Sequence, residues 1–174
     1  MTVQPHADSA TPITVTCAVL TVSDSRTPTT DKSGQVMHSQ LAAAGHQIGH
    51  YHILKDEPEQ IAQHVQSLAS RDDIQVILLN GGTGIAPRDT TYDAIAALLH
   101  KQLPGFGEIF RQLSYAEIGS RAIASRAVAG IHISPQKSTL IFSVPGSSNA
   151  VRLAMTALII PELSHLSALL RADL

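Results

Sequence analysis

The run IQVILL at residues 74–79 constrains the fold more than any other stretch, because it is almost wholly apolar and stops abruptly at Asn80-Gly81-Gly82. A half-exposed strand alternates apolar and polar residues. A continuous apolar run bounded by glycines is instead the pattern of a strand buried on both faces. Such a strand needs helices above and below it, and the rest of the chain supplies them in alternation.

Residues 14–22 (TVTCAVLTV) predict a first buried strand, followed by the polar loop SDSRTPTTDKSG. Met37, Leu41 and Ala44 then fall at helical spacing, and Gly45 is a natural helix stop. Residues 47–54 predict a second strand. Pro58 suits a first helical turn, and Ile61, Val65 and Leu68 form an apolar stripe. Beyond the strand at 74–79 and its glycine loop, Thr90 and Asp93 match a capping box, and Ile95, Leu98 and Leu99 continue as a helix. Helical patterns follow around Ile109, Phe110 and Leu113 and again near 117–126. AVAGIHI and STLIFSV form a pair of strands. Val151, Met155 and Leu158 share one helical face, in a segment that Pro161 is expected to break or kink. The alternation predicts an α/β fold with a mostly parallel sheet covered on both sides. It is read as one domain over residues 13–174, preceded by a short flexible arm at 1–12.

Composition narrows the function. Among 174 residues the aromatic share is 3 %, there is no Trp, and the formal net charge is −2. A nucleic-acid-binding surface normally shows a basic excess or aromatic stacking platforms, and neither is present. No run approaches the ~20 apolar residues of a membrane helix. The single cysteine, Cys17, lies inside an apolar run and reads as a buried structural thiol, which fits a reducing cytoplasm.

Three polar loops follow apolar strands: SDSRTPTTDKSG, NGGTGIAPRDTT and PGSSNAV. In an open parallel sheet, ligands bind outside the carboxyl ends of the strands. Gly81, Gly82 and Gly84 would let backbone amides approach a phosphate, and Gly146 with Ser147 and Ser148 would do so from a neighbouring strand. The plain alternative is that these glycines only make tight turns. Neither the Walker loop nor the dinucleotide fingerprint is matched, since no Lys follows the glycines and Pro87 stands where the fingerprint needs a third Gly. A carboxylate beside phosphates needs a bridging cation, so Asp89 raises the expectation of magnesium and of a second acid. Asp56 or Glu57 is that candidate, the alternative for Asp56 being a solvated helix N-terminus. Arg88 is a phosphate ligand or the partner of a nearby acid, and Arg121 and Arg126 are phosphate ligands or helix-surface charges. His50 and His52 share a strand face with no third ligand in view and read as a surface or interface pair. PGSSNA is not the nucleophile elbow of a hydrolase.

The segments LTVSDSR, GGTGIAPRD, GFGEIFRQLSYAEIG, SRAVAG and FSVPGSSNAV, in this order, resemble the MoaB/MogA family of molybdenum cofactor biosynthesis proteins, to which the gephyrin G domain also belongs. The resemblance runs from about residue 14 to the last helix, and the third and fourth segments look like its B-type branch. It implies a three-layer α/β/α sandwich that assembles as a homotrimer or homohexamer and binds molybdopterin. It further implies adenylylation of molybdopterin by ATP with Mg²⁺, pyrophosphate leaving, alongside other proteins of the pathway. By motif, Asp56 and Asp89 would hold the magnesium, and Gly81, Gly82, Thr83 and Gly84 form the glycine loop. Ser114 and Ser125 match serines near the pterin phosphate. Pro145, Gly146, Ser147 and Asn149 form the second loop, and Asp24 and Ser25 the loop after the first strand. Ser147-Ser148 stand where catalytic relatives often have Asn-Pro or Lys-Pro. A carrier or scaffold that binds molybdopterin without turnover is the alternative.

Overall fold

Alternate residues of the central strands divide between two cores, and this division makes the layers. The computed structural model describes residues 13–171, so the predicted arm at 1–12 lies outside the described residues. The elements, in order, are β1 (Thr16–Val22), α1 (Lys32–Ala43), β2 (Gln47–Leu54), α2 (Pro58–Ala69), β3 (Val76–Asn80), α3 (Thr91–Leu98), β4 (Lys101–Gln102), α4 (Pro104–Ile118), β5 (Val128–Ile133), β6 (Ser138–Val144), α5 (Ser148–Ala154) and α6 (Ile160–Arg171). Cys17, Val19, Val76 and Leu78 face one core with Met37, Leu41, Phe110, Val151 and Leu163, so α1, α4, α5 and α6 cover that side. Ala18, Leu20, Ile77 and Leu79 face the other with Ile61, Val65, Leu68 and Ile95, so α2 and α3 cover the opposite side. Each fully buried leucine or isoleucine contributes roughly 1.5–3 kcal/mol. Cys17 is fully buried in the first core, and burial pushes its thiol up to about 12. It is a structural thiol, as its apolar surroundings in the sequence suggested.

The strand order is β2-β1-β3-β6-β5-β4. The pairs β2–β1, β1–β3 and β3–β6 are parallel. β5 runs against both its neighbours, β4 and β6, because the turn that carries Ser134 N–H to Lys137 O joins β5 and β6 as a hairpin. The sheet is therefore mixed, with four parallel strands from the β2 edge to β6 and the antiparallel strands β5 and β4 at the other edge.

Three local expectations change. Residues 119–124 form a 3₁₀ turn rather than a second helix, because Gly119 ends α4 at φ 63°. Pro161 neither breaks nor ends the last helix, which runs unbroken over Ser148–Arg171. The five residues Met155–Ile159 widen into a π turn just ahead of it, which relieves the clash of a proline ring with the preceding turn. That same 24-residue helix is, among the described residues, the one long and apolar enough by length and composition to cross a membrane, contrary to the reading of the bare sequence. Its buried apolar side chains, Val151, Ala154, Met155, Ile159 and Leu163, all belong to the core on that side of the sheet.

The parallel register fixes the functional edge. Thr21 pairs with Asn80, Asn80 with Val144, and Val22 with Leu54. Four strands therefore end together, and the loops that follow them leave the same edge.

Candidate functional site

The loop after β3 begins in a space that admits only glycine. Gly81 has φ 99°, and a Cβ there would run into the Val22 carbonyl oxygen at the end of β1. Its N–H donates to Val144 O of β6 at 3.1 Å, so it is wedged between two strand ends. Gly82 has φ 62°, and a Cβ there would strike Thr91 Oγ1 and the Asp56 carboxylate. The second loop meets the first directly, since a Cβ on Gly146 would stand 2.9 Å from the Gly81 α-carbon. Ser33 of α1 donates its hydroxyl to Gly146 O at 2.6 Å.

Between the loops lies a cavity of about 310 Å³. Gly81, Gly82, Thr83 and Gly84 line one side, Pro145 and Gly146 another, and Asp89, Arg121, Ala124 and Ser125 complete it. Eight residues expected from the sequence motifs thus come together: the four of the glycine loop, Asp89, Ser125, Pro145 and Gly146. Arg121 joins them as an exposed cation with no hydrogen bond or ion pair among the described residues.

Asp56 is 6 % exposed, so it is not a solvated helix N-terminus. Its Oδ1 accepts from Thr90 N–H at 3.2 Å, Thr90 Oγ1 at 2.7 Å and Thr91 Oγ1 at 3.3 Å. A carboxylate from the β2–α2 connection thereby caps α3, where the helix dipole favours it. The capping box expected from Thr90 and Asp93 does not form, because Thr90 spends its hydroxyl on Asp56 and Asp93 pairs with Arg126. Asp89 Oδ2 accepts from Ala86 N–H at 3.0 Å, which closes the loop on itself. The two carboxylates lie against two glycines of one loop, Asp56 beside Gly82 and Asp89 beside Gly84.

Arg126 is not a free surface charge: its guanidinium is bonded within the protein. Its Nε donates to Thr83 O and Gly84 O at 3.3 and 3.0 Å, and its Nη2 to Gly84 O and Asp89 O at 2.7 and 3.1 Å. Nη1 pairs with the Asp93 carboxylate at 3.0 Å, and the guanidinium lies 4.9 Å from the Tyr92 ring centre. The loop carbonyls are thus turned toward Arg126. Sequence spacing could not show this, because Arg126 and Thr83 are 43 positions apart.

The other motif residues lie outside the cavity lining. Arg88 pairs with Asp24 at 3.1 Å and Glu57 at 2.9 Å. The Asp56 N–H, and after it the Arg88 guanidinium, hold the Asp24 carboxyl below its ordinary range. Ser25 is exposed beside Asp24, and its N–H donates to Ser23 Oγ at 3.3 Å. Ser147 caps α5 by accepting from Ala150 N–H, and Asn149 accepts from Arg152 at 3.1 Å. Ser114 is buried on α4.

Comparison with known proteins gives a consistent result. The family described as "Probable molybdopterin binding domain" matches residues 18–165. A relative from Halalkalibacterium halodurans, named molybdenum cofactor biosynthesis protein B, is 55 % identical over 166 residues, covering 95 % of each chain. A relative of the same name from Bacillus subtilis is 53 % identical over 174 residues, covering 99 % of each. A crystal structure, also of a molybdenum cofactor biosynthesis protein B, superposes with a TM-score of 0.88 at 49 % identity, covering 94 % of this chain and 99 % of that one.

Proposed function

Since this chain belongs to the molybdopterin-binding domain family of the MoaB/MogA type, we propose that it acts in molybdenum cofactor biosynthesis and binds molybdopterin at the sheet-edge cavity. The observation that carries this reading is the meeting of two glycine loops on one cavity that also holds Arg121 and Ser125. On this reading Arg121 and the Ser125 hydroxyl take the terminal phosphate of the pterin, with loop amides beside them. Asp24, Ser25, Arg88, Ser147 and Asn149 flank the same edge and would meet the remoter parts of a pterin–nucleotide ligand.

We further propose adenylyl transfer from ATP. A terminal phosphate oxygen of molybdopterin bonds to the α-phosphorus of ATP, the bond from that phosphorus to the bridging oxygen breaks, and pyrophosphate leaves with the electron pair. The residues fit a divalent cation: two carboxylates face one loop, Asp89 opens on the cavity, and the three bonds to Asp56 all end on Oδ1. Magnesium, when bound, neutralises charge on the triphosphate. The chain itself holds the two substrates in line by a loop that Arg126 and Asp56 fix in advance. Purified protein given molybdopterin, ATP and Mg²⁺ is expected to form the adenylylated product, and Asp89→Ala is expected to fall to background. Equal product from both would remove the catalytic role of the loop.

A second reading is a carrier that binds molybdopterin without turnover. The commitment of Asp56 Oδ1 to Thr90 and Thr91 favours it. Calorimetry separates the two, since tight pterin binding with no Mg-dependent ATP binding supports the carrier. In either case we propose a homotrimer or homohexamer, supported by the exposed apolar side chains Ile109, Tyr115, Ile118 and Ile123 on α4 and the turn after it.

A further inference from the structure

Away from the glycine loops, three imidazoles meet beside the edge strand. His50 and His52 lie on the α2 side of β2, and His64 rises from α2 to meet them. Ring centres are 5.2 Å apart for His50–His64, 5.1 Å for His52–His64 and 6.2 Å for His50–His52. His52 is exposed and the other two are half-buried, on a strand with one side open. His64 is the third imidazole that the strand pattern alone could not supply, because it comes from the next element.

The decisive distance is between His50 Nε2 and His64 Nε2, which share a hydrogen bond at 3.1 Å; an ion would take its place once both rings carry their proton on Nδ1. A transition ion bound to imidazole at ~2.0–2.1 Å holds neighbouring nitrogens roughly 2.9–3.4 Å apart, for ligand angles from square to tetrahedral. The pair thus already has the spacing of two ligands on one ion. Among the described residues no three His, Cys, Asp or Glu side chains are disposed as a ready metal cluster, so His52 stands near the pair rather than completing it. Arg71, the nearby cation, is itself neutralised by Asp73 at 2.6 Å.

We propose that His50 and His64 form a two-imidazole clip for a divalent transition ion of the zinc, nickel or copper(II) class, joining the edge strand to α2, with water completing the coordination and His52 adjoining. Imidazole nitrogens select such ions over magnesium or calcium. The clip is separate from the glycine-loop cavity and stands whether or not that cavity binds a pterin.

The test uses untagged full-length protein titrated with zinc sulfate by calorimetry at neutral pH. Saturable binding of one zinc per chain is expected, together with a rise in unfolding temperature. His50→Ala and His64→Ala are each expected to weaken zinc at least tenfold, and His52→Ala less. Copper(II) should give an electron paramagnetic resonance spectrum with two imidazole nitrogens. Should a variant fail to fold, the unmodified chain still decides: zinc should slow carbethoxylation of His50 and His64. Absence of saturable binding at millimolar zinc overturns the clip, as does zinc affinity unchanged in folded His64→Ala, or carbethoxylation unaffected by zinc.

Discussion

The two glycine loops that form the cavity are held in opposite ways. The loop after β3 is fixed by side chains that come from outside it. Asp56 caps its exit through three bonds, and Arg126 makes four bonds to three of its carbonyls. The loop after β6 is held by one bond from Ser33 to Gly146 O, by the Ser147 cap and by close packing against Gly81. The first loop is preorganised: the carbonyls of Thr83, Gly84 and Asp89 are already bonded to Arg126, which leaves amides and the Asp89 carboxylate for a ligand. The second supplies shape. Loss of a polar partner should therefore tell mainly on the first loop, whereas the second should respond chiefly to added bulk.

Asp56→Ala is the strongest way to break this contrast. It strands the donors of Thr90 and Thr91 at a buried position, and a cost of about 3 kcal/mol is expected in urea unfolding. Asp56→Asn keeps an acceptor and should lose less than half of that stability while still losing any Mg-dependent nucleotide affinity. A nucleotide affinity unchanged in Asp56→Asn would make Asp56 a cap alone. Gly82→Ala comes next, at about 2 kcal/mol, because it combines positive φ with a collision against Thr91 and Asp56. A wild-type urea midpoint would mean that the loop is far looser than its bonds imply.

The elements that were legible in the sequence are those whose signal is local. The run at 74–79, the stripe of Ile61, Val65 and Leu68, and the glycines beyond Asn80 each declare themselves within a few residues. The convergence of three loops at one edge followed from the parallel pattern alone. What could not be read depends on partners far along the chain. Asp56 looked like a solvated acid because its donors, Thr90 and Thr91, are more than thirty residues away. Thr90 and Asp93 matched a capping box locally, yet Asp56 and Arg126 outcompete it with charged partners. The reversal of β5 was hidden because its hydrophobic pattern does not depend on strand direction.

Arg126→Ala is expected to cost about 1.5 kcal/mol, since its bonds are charge-assisted but partly exposed. The sharper measurement is ligand affinity. Releasing the carbonyls of Thr83, Gly84 and Asp89 should weaken pterin or phosphate binding at least tenfold, and Arg126→Lys should not restore it, because an ammonium cannot span three carbonyls as a planar guanidinium does. Rescue by lysine would reduce Arg126 to a simple charge. Gly146→Ala tests the other loop. It adds one methyl against Gly81 and should cost about 1 kcal/mol, with loss of affinity by displacement of the loops rather than loss of a bond.

The smallest effect on stability should come from Arg88→Ala. Its pairs with Asp24 and Glu57 are good in distance, but the side chains are 55 %, 48 % and 43 % exposed. Exposed ion pairs gain little over solvated charges and are screened by salt. The unfolding midpoint should therefore not move measurably, at low or high salt. Its effect on ligand affinity should also be smaller than that of Arg121→Ala, because Arg121 lines the cavity without a protein partner among the described residues, whereas Arg88 must first leave two carboxylates. Phosphate or ATP titrated against the two variants decides this. A larger loss in Arg88→Ala would mean that the Asp24–Arg88–Glu57 cluster opens to receive the ligand, and the first loop would then be less completely preset than its bonds to Asp56 and Arg126 indicate.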